Sequence, residues 1–280
     1  MAAVASDPGV EIFSDELNHA SLVDGLRLAK ASGAKLRVYR HNDMEQLAQM
    51  LEQAPSGNGT RRLVVTDSLF SMDGDYAPLK ELADLKRRHG FLLAVDEAHA
   101  TLVCGKRGAG AAEMMGVEDA VDLHLGTLSK SIGSFGGFLA CSAAWKSLLV
   151  TKARGQVFST ALPLPSVAGA LAGIRVAQEE PERRALLWEH TRTVGAALGA
   201  KPQSPIFPVI VGSAERALAA GQELWERGFH VPAIRPPTVP AGTSRLRLSL
   251  SAAHTRSDVR DLILAMADMG LAKAPEVAKL

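Results

Sequence analysis

The chain has 280 residues, 47% of them hydrophobic and 22% charged, with a formal net charge of +1. That length suits one large domain and a smaller one, and the charge balance gives no pull toward nucleic acid or a membrane surface. No apolar run reaches the length of a membrane span, and Met1 to Val10 lacks the basic and apolar regions of a secretory signal. The two cysteines, Cys104 and Cys141, form no C-x-x-C pair and fit core thiols in a reducing compartment.

Strand and helix patterns alternate along the first half. Val10 to Phe13 reads as a short strand, and Leu17 to Lys30 carries apolar residues at helical spacing. Leu36 to Tyr39 is a strand, Asp43 to Gln53 a helix, and Pro55 to Thr60 a Gly/Ser/Asn loop. Leu63 to Thr66 is a strand followed by a long Ser/Asp/Gly-rich loop, Asp67 to Tyr76. Pro78 to His89 is a helix with Gly90 just past its end. Phe91 to Val95, Val121 to Leu125 and Gly137 to Cys141 are continuous apolar strands of a sheet covered on both faces. This βαβ series predicts an α/β large domain with a mostly parallel sheet over residues 1–180. Beyond Pro163 and Pro165 the pattern changes. Helices are expected at Ser166 to Gln178, Pro181 to Leu198, Ala214 to Arg227 and Ser257 to Met269, with strands at Phe207 to Val211, His230 to Ile234 and Leu246 to Leu250. Residues 181–280 then form a small C-terminal α+β domain.

Two segments carry the chemistry. Val95-Asp96-Glu97-Ala98-His99 ends one strand, and Gly126-Thr127-Leu128-Ser129-Lys130-Ser131 ends the next. Ligands of open α/β sheets bind beyond the carboxyl ends of the strands, so both segments open into one crevice. An acid, a histidine and a lysine converging there suggest a Schiff-base lysine and a cofactor with a ring nitrogen to protonate, which points to pyridoxal phosphate. Asp96, in apolar surroundings, needs a cationic partner, and a protonated pyridine nitrogen is one. Taken alone it also fits a strand-end aspartate capping a turn, as Lys130 alone fits an ordinary Ser/Gly loop. D-E-A-H is also the acidic Mg²⁺ motif of one helicase class. That reading requires an upstream phosphate loop, and none precedes Asp96. No H-x-x-x-H or zinc-like Cys/His cluster occurs, so no metal site is expected.

The motifs resemble those of the α-oxoamine synthases, a group of fold type I pyridoxal-phosphate enzymes. D-E-L-N-H-A-S at 15–21, H-N-D at 41–43, S-L-F-S-M-D-G-D at 68–75, V-D-E-A-H at 95–99 and G-T-L-S-K at 126–130 match in order. F-S-T-A-L-P at 158–163, A-I-R-P-P-T-V-P-A-G-T at 233–243 and R-L-R-L-S-L-S-A-A-H-T at 245–255 extend the match over nearly the whole chain. The resemblance implies a fold type I transferase-like architecture and a role for each matching residue. Lys130 corresponds to the Schiff-base lysine, Asp96 to the acid on the pyridine nitrogen and His19 to the histidine stacked on the ring. His99 and Ser71 correspond to residues near the ring's phenolic oxygen, and Thr127 to a phosphate contact. Ser159 and Thr160 lie where the family reaches the phosphate of a neighbouring subunit, which implies a homodimer with its site at the subunit interface. Arg235 corresponds to the arginine that holds the amino-acid carboxylate, and Thr238 to a nearby substrate contact.

The A-I-R-P-P-T stretch is similar to the biotin-pathway member of the group. It implies decarboxylative condensation of L-alanine with a pimeloyl thioester, on CoA or on a carrier protein. Other members, such as the 2-amino-3-oxobutyrate CoA ligase type, use other substrates. The family's segment ahead of D-E-L-N-H-A-S, with its phosphate-binding turn at a helix start, has no counterpart before Met1. The chain is therefore expected to be a truncated gene model, an isoform or a fragment. An active synthase and a non-catalytic interacting subunit both remain open. The final Ala278-Lys279-Leu280 is a close variant of the S-K-L address, which leads to an expectation of peroxisomal location, with the cytosol as the alternative.

Overall fold

The computed structural model describes residues 2–5, 7, 9–54 and 61–273. The loop at 55–60 and the terminal tripeptide at 278–280 lie outside the described residues. Contacts divide the chain into two units. One is Met1–Phe70 with Tyr76–Glu179, the other Ser71–Asp75 with Glu180–Leu280.

The first unit begins with α1 (Ala2–Ala5), β1 (Val10–Asp15), α2 (Ala20–Ala31), β2 (Lys35–Tyr39) and α3 (Met44–Gln53). It continues with β3 (Arg61–Asp67), α4 (Leu79–His89), β4 (Leu92–Asp96) and α5 (Ala111–Met115). It ends with β5 (Leu123–Thr127), β6 (Gly137–Cys141), α6 (Ala143–Lys152), α7 (Arg154–Phe158) and α8 (Leu164–Glu179). The strands form one sheet in the order β2-β1-β3-β4-β5-β6. All pairs are parallel except β5 with β6. The chain leaves β1 in one direction to reach β2, then returns to the other side for β3. Right-handed crossovers then put the connecting helices on opposite faces.

Period-two alternation explains the burial. Ile12, Leu63, Val65, Ala94 and Leu123 pack with Leu22 and Leu26 of α2 and with Val4. Phe13, Val64, Leu93 and Val95 alternate to the opposite face and are equally buried. The strands of such a sheet must be apolar on both sides, as β4 is. α4 buries Leu79, Leu82, Ala83 and Leu85. It stops at Gly90, whose φ of 61° suits the left-handed cap and whose N–H bonds the Lys86 carbonyl.

Three local outcomes differ from the sequence pattern. The helix expected from Leu17 begins at Ala20, because the Asp15 carboxylate accepts the Leu17 N–H at 2.8 Å and holds a turn ahead of it. α5, α6 and α7 occupy a stretch in which no helix was expected. The strand expected over 230–234 is reduced to a two-residue ladder, since Pro232 has no N–H to pair.

In the second unit α9 (Glu182–Leu198), β7 (Ile206–Gly212), α10 (Ala214–Glu226), β8 (Ala233–Ile234), β9 (Ser244–Ser249) and α11 (Arg256–Asp268) follow one another. The sheet is antiparallel with order β7-β9-β8. Val194, Phe207, Leu224, Leu246, Leu248 and Ile263 form its core. α11 starts with a capping box between Thr255 and Asp258. Residues 71–75 are fastened here. Arg245 Nη1 donates to the Asp73 carboxylate at 2.5 Å and to the Met72 carbonyl at 3.1 Å. Ser204 Oγ donates to the Gly74 carbonyl at 2.6 Å, and a Cβ on Gly74 would collide with the Ile206 carbonyl. No helix among the described residues is long and apolar enough to cross a membrane.

Candidate active site

The carboxyl ends of β1, β3, β4 and β5 carry Asp15, Asp67, Asp96 and Thr127. β1 and β3 flank the point where the chain reverses direction, the standard ligand position in an open α/β sheet. A cavity of about 580 Å³ opens there. It is lined by His19, Asp67, Asp96, His99, Thr127 and Lys130, among others.

Each side chain is placed by its local structure. β4 delivers Asp96 at its last residue, opposite Leu125 of β5 and Asp67 of β3. Asp96 Oδ1 accepts the Ala98 N–H at 2.9 Å, which fixes the carboxylate and begins the turn that carries His99. Glu97 points the other way and is buried. Its carboxylate accepts Ser68 Oγ–H at 2.7 Å and the Ala111 and Ala112 N–H groups at 2.9 and 3.0 Å, anchoring the turn to α5. His19 is the N-cap of α2, and its Nδ1 accepts the Ser21 N–H at 3.2 Å. In the neutral ring the proton therefore lies on Nε2. Thr127 Oγ1 lies 2.7 Å from Ser129 Oγ and accepts the Ser129 N–H at 3.2 Å, which curls the loop ahead of Lys130. A Cβ on Gly126 would run into the Phe138 ring opposite it on β6, so a larger residue here would have to displace that ring.

Burial pushes the Asp96 carboxyl above its ordinary range, partly offset by the Ala98 N–H and by the positive charge of Lys130. Burial also pushes the Asp67 carboxyl up, to about 8, and the neighbouring Asp96 charge adds to this. The cavity floor thus holds two desolvated acids and one ammonium. Asp96 Oδ2 accepts no hydrogen bond from a described residue, so it is open to a donor from a ligand. A protonated ring nitrogen fits that oxygen, an aldehyde fits the Lys130 amine, and a phosphate fits the Thr127 and Ser129 hydroxyls. The donor set matches pyridoxal phosphate. Among the described residues no group of three or more His, Cys, Asp or Glu side chains is arranged to hold a metal ion.

His19, Asp96, His99, Thr127 and Lys130 come together in this cavity. Thr160 is exposed between α7 and α8, outside it. Ser71, Arg235 and Thr238 belong to the second unit. The Ser71 carbonyl accepts Arg247 Nε–H at 2.5 Å. Arg235 and Thr238 lie exposed in the turn after β8, where the Thr238 N–H bonds the Arg235 carbonyl at 3.1 Å. Sequence reasoning missed Asp67, although it stands at the end of β3 as Asp96 does at the end of β4.

The sequence pattern of the class I and II aminotransferases matches residues 1–266. The chain belongs to that family. Its fold is that of the fold type I transferases, and its cofactor is pyridoxal phosphate. The family's relatives named 8-amino-7-oxononanoate synthase include one from Arabidopsis thaliana, 50% identical over 258 residues, 92% of this chain and 54% of the relative. Another, from Anaeromyxobacter dehalogenans, is 51% identical over 271 residues, 95% of this chain and 67% of the relative. The chain thus spans between about half and two thirds of the length of these curated relatives. Among solved structures, a serine palmitoyltransferase of S. paucimobilis with bound PLP–myriocin aldimine is 31% identical with a TM-score of 0.86, covering 96% of this chain and 70% of that one. An 8-amino-7-oxononanoate synthase of Francisella tularensis is 26% identical with a TM-score of 0.77, covering 96% and 78%.

Proposed function

We propose that the protein is an 8-amino-7-oxononanoate synthase. It condenses L-alanine with pimeloyl-CoA, or pimeloyl carrier protein, to give 8-amino-7-oxononanoate for biotin synthesis. The alanine carboxylate leaves as CO₂ and the acyl group leaves its thiol. The observation that carries this reading is the convergence of Lys130, Asp96 and His19 on one cavity in a chain about half identical to proteins of that name.

Pyridoxal phosphate supplies an electron sink for the carbanion formed at the α-carbon of alanine. The chain's residues do the rest. Asp96 would pair with the ring nitrogen and keep it protonated. Lys130 Nζ would hold the cofactor at rest and, when free, serve as the base for the α-proton. His19 would flank the ring. His99 and Ser71 would bond the phenolic oxygen, and His99 would polarise the intermediate carbonyl. Thr127 would bind the phosphate. Arg235 holds the substrate carboxylate bidentately, with Thr238 beside it.

In an assembly of two copies, Thr160 of each would reach the phosphate held by the other. Large apolar side chains left exposed around Thr160, Phe158 at 72% and Leu164 at 82%, support this.

Borohydride treatment of the protein with pyridoxal phosphate tests the reading. The cofactor should be fixed to the peptide containing Lys130, as read by mass spectrometry. A label on Lys146 or Lys152 instead would overturn the assignment. Asp96→Asn should slow α-proton exchange of alanine at least a hundredfold, because the ring nitrogen loses its buried counter-charge. Preference for glycine or serine over alanine would move the protein to another α-oxoamine synthase activity.

A further inference from the structure

The motif roles leave Asp67 unassigned, yet it lines the cavity and is 4% exposed. Its surroundings form a closed circuit. Asp67 Oδ1 accepts the His19 N–H at 3.3 Å. The Asp67 N–H in turn bonds Asn18 Oδ1 at 2.8 Å. The buried Asn18 amide donates to Ser14 Oγ and to the Val65 carbonyl, both at 2.9 Å. The end of β3 is thereby stitched to the two residues that precede α2. The His19 N–H lies ahead of the helix and has no intrahelical acceptor, so it needs one from elsewhere. The His19 carbonyl already receives Leu22 N–H at 2.9 Å and Val23 N–H at 3.2 Å. With Nδ1 engaged by Ser21, the Asp67 bond ties the His19 backbone directly to the end of β3 at the cavity.

We propose that Asp67 is a positioning residue of this site, holding His19 at the head of α2 through a carboxyl oxygen. The proposal rests on the reading of the cavity as a pyridoxal-phosphate site. A second carboxylate beside Asp96 would oppose the ionised state that Asp96 needs. Burial answers this by keeping the proton on Asp67 up to about pH 8. A protonated carboxyl still offers its carbonyl oxygen as an acceptor. The essential feature is the acceptor and not the charge, and an amide of the same shape should replace it.

The test compares Asp67→Asn with Asp67→Ala, and uses Asp67→Ser as the too-short polar variant in case the alanine form does not fold. The first readout is the ¹H–¹⁵N signal of the His19 amide in selectively histidine-labelled, cofactor-free protein. The second is the dissociation constant of pyridoxal phosphate from its absorbance. Asp67→Ala or Asp67→Ser should shift the His19 amide signal and weaken cofactor binding about tenfold, the loss expected for one hydrogen bond to a buried group. Asp67→Asn should restore both to within about twofold. An unmoved His19 amide in the shortened variants overturns the proposal, and so does an asparagine variant as damaged as they are. Failure of the unsubstituted protein to bind pyridoxal phosphate would strike the cofactor reading instead, while the amide signal would still decide the Asp67–His19 bond.

Discussion

Two stretches of the first unit, residues 10–70 with 76–127 and residues 128–179, are similarly rich in apolar side chains, yet they use them differently. In the first stretch β1 is buried at every position, and Phe13, Tyr39, Phe70 and Leu93 have essentially no accessible surface. In the second, α6 and α7 bury no residue, and Phe135, Phe158 and Leu164 are 65%, 72% and 82% exposed. The first region is a finished core. The second leaves several large apolar side chains exposed, and exposed apolar surface is the feature to test for an interaction site. Apolar content therefore says where burial is wanted, and the fold decides whether the chain itself provides it.

The sharpest way to break this contrast is truncation on each side of it. Leu93→Ala empties a site on a central strand with helices on both faces and should destabilise the protein by about 2–5 kcal/mol. Leu164→Ala should change stability by no more than about 0.5 kcal/mol, as surface substitutions do. Urea unfolding of the dilute protein measures both. Equal losses would mean that the second stretch is as much a core as the first.

The site end of the first stretch departs from apolar packing, and there the effect depends on pH. Asp67 titrates near 3.8 when unfolded and at about 8 when folded. Between those values the folded form holds a proton that the unfolded form has released, so stability falls as pH rises. The penalty is absent below about 3.8 and complete above about 8. Asp67→Asn cannot ionise and escapes it. Asp96 is present in both proteins, so the difference between them reports Asp67 together with its coupling to Asp96. Thermal unfolding of the cofactor-free proteins should show the variant gaining on the unsubstituted chain from pH 5 to pH 8. Parallel curves would show that Asp67 carries its charge at neutral pH.

These contrasts also mark how far the sequence could be read. β4 was visible as an apolar run ending in an acid, and Lys130 as a base in a loop of small residues, because both signals are local. Asp67 was one acid among several in D-S-L-F-S-M-D-G-D. Only its register opposite Asp96 and its bond to His19 single it out, and both depend on strand pairing. Residues 71–75 were expected to lie within one long loop, Asp67 to Tyr76. Their attachment to Arg245 and Arg247 spans more than 170 positions, beyond any periodicity. α5 and α7 are five residues each, too short for a helical repeat to show. The domain division expected after residue 180 takes no account of the 71–75 excursion, which the contacts place with the second unit.

The smallest expected effect on folding is the one that speaks most directly to the exposed region. Leu164→Ser removes the most exposed large apolar side chain beside Thr160. Its folding stability should move by no more than about 0.5 kcal/mol. Association should respond more strongly, since a side chain buried between two copies contributes transfer free energy that one copy alone does not gain. Symmetry doubles the effect, because a two-fold interface meets each substitution twice. Sedimentation equilibrium should then show weaker self-association for Leu164→Ser, with Leu28→Ser as a control. Leu28 is 62% exposed on α2, in the finished half of the unit, and its loss should leave association unchanged. If both variants associate like the unsubstituted chain, the apolar surface around Thr160 is not where two copies meet.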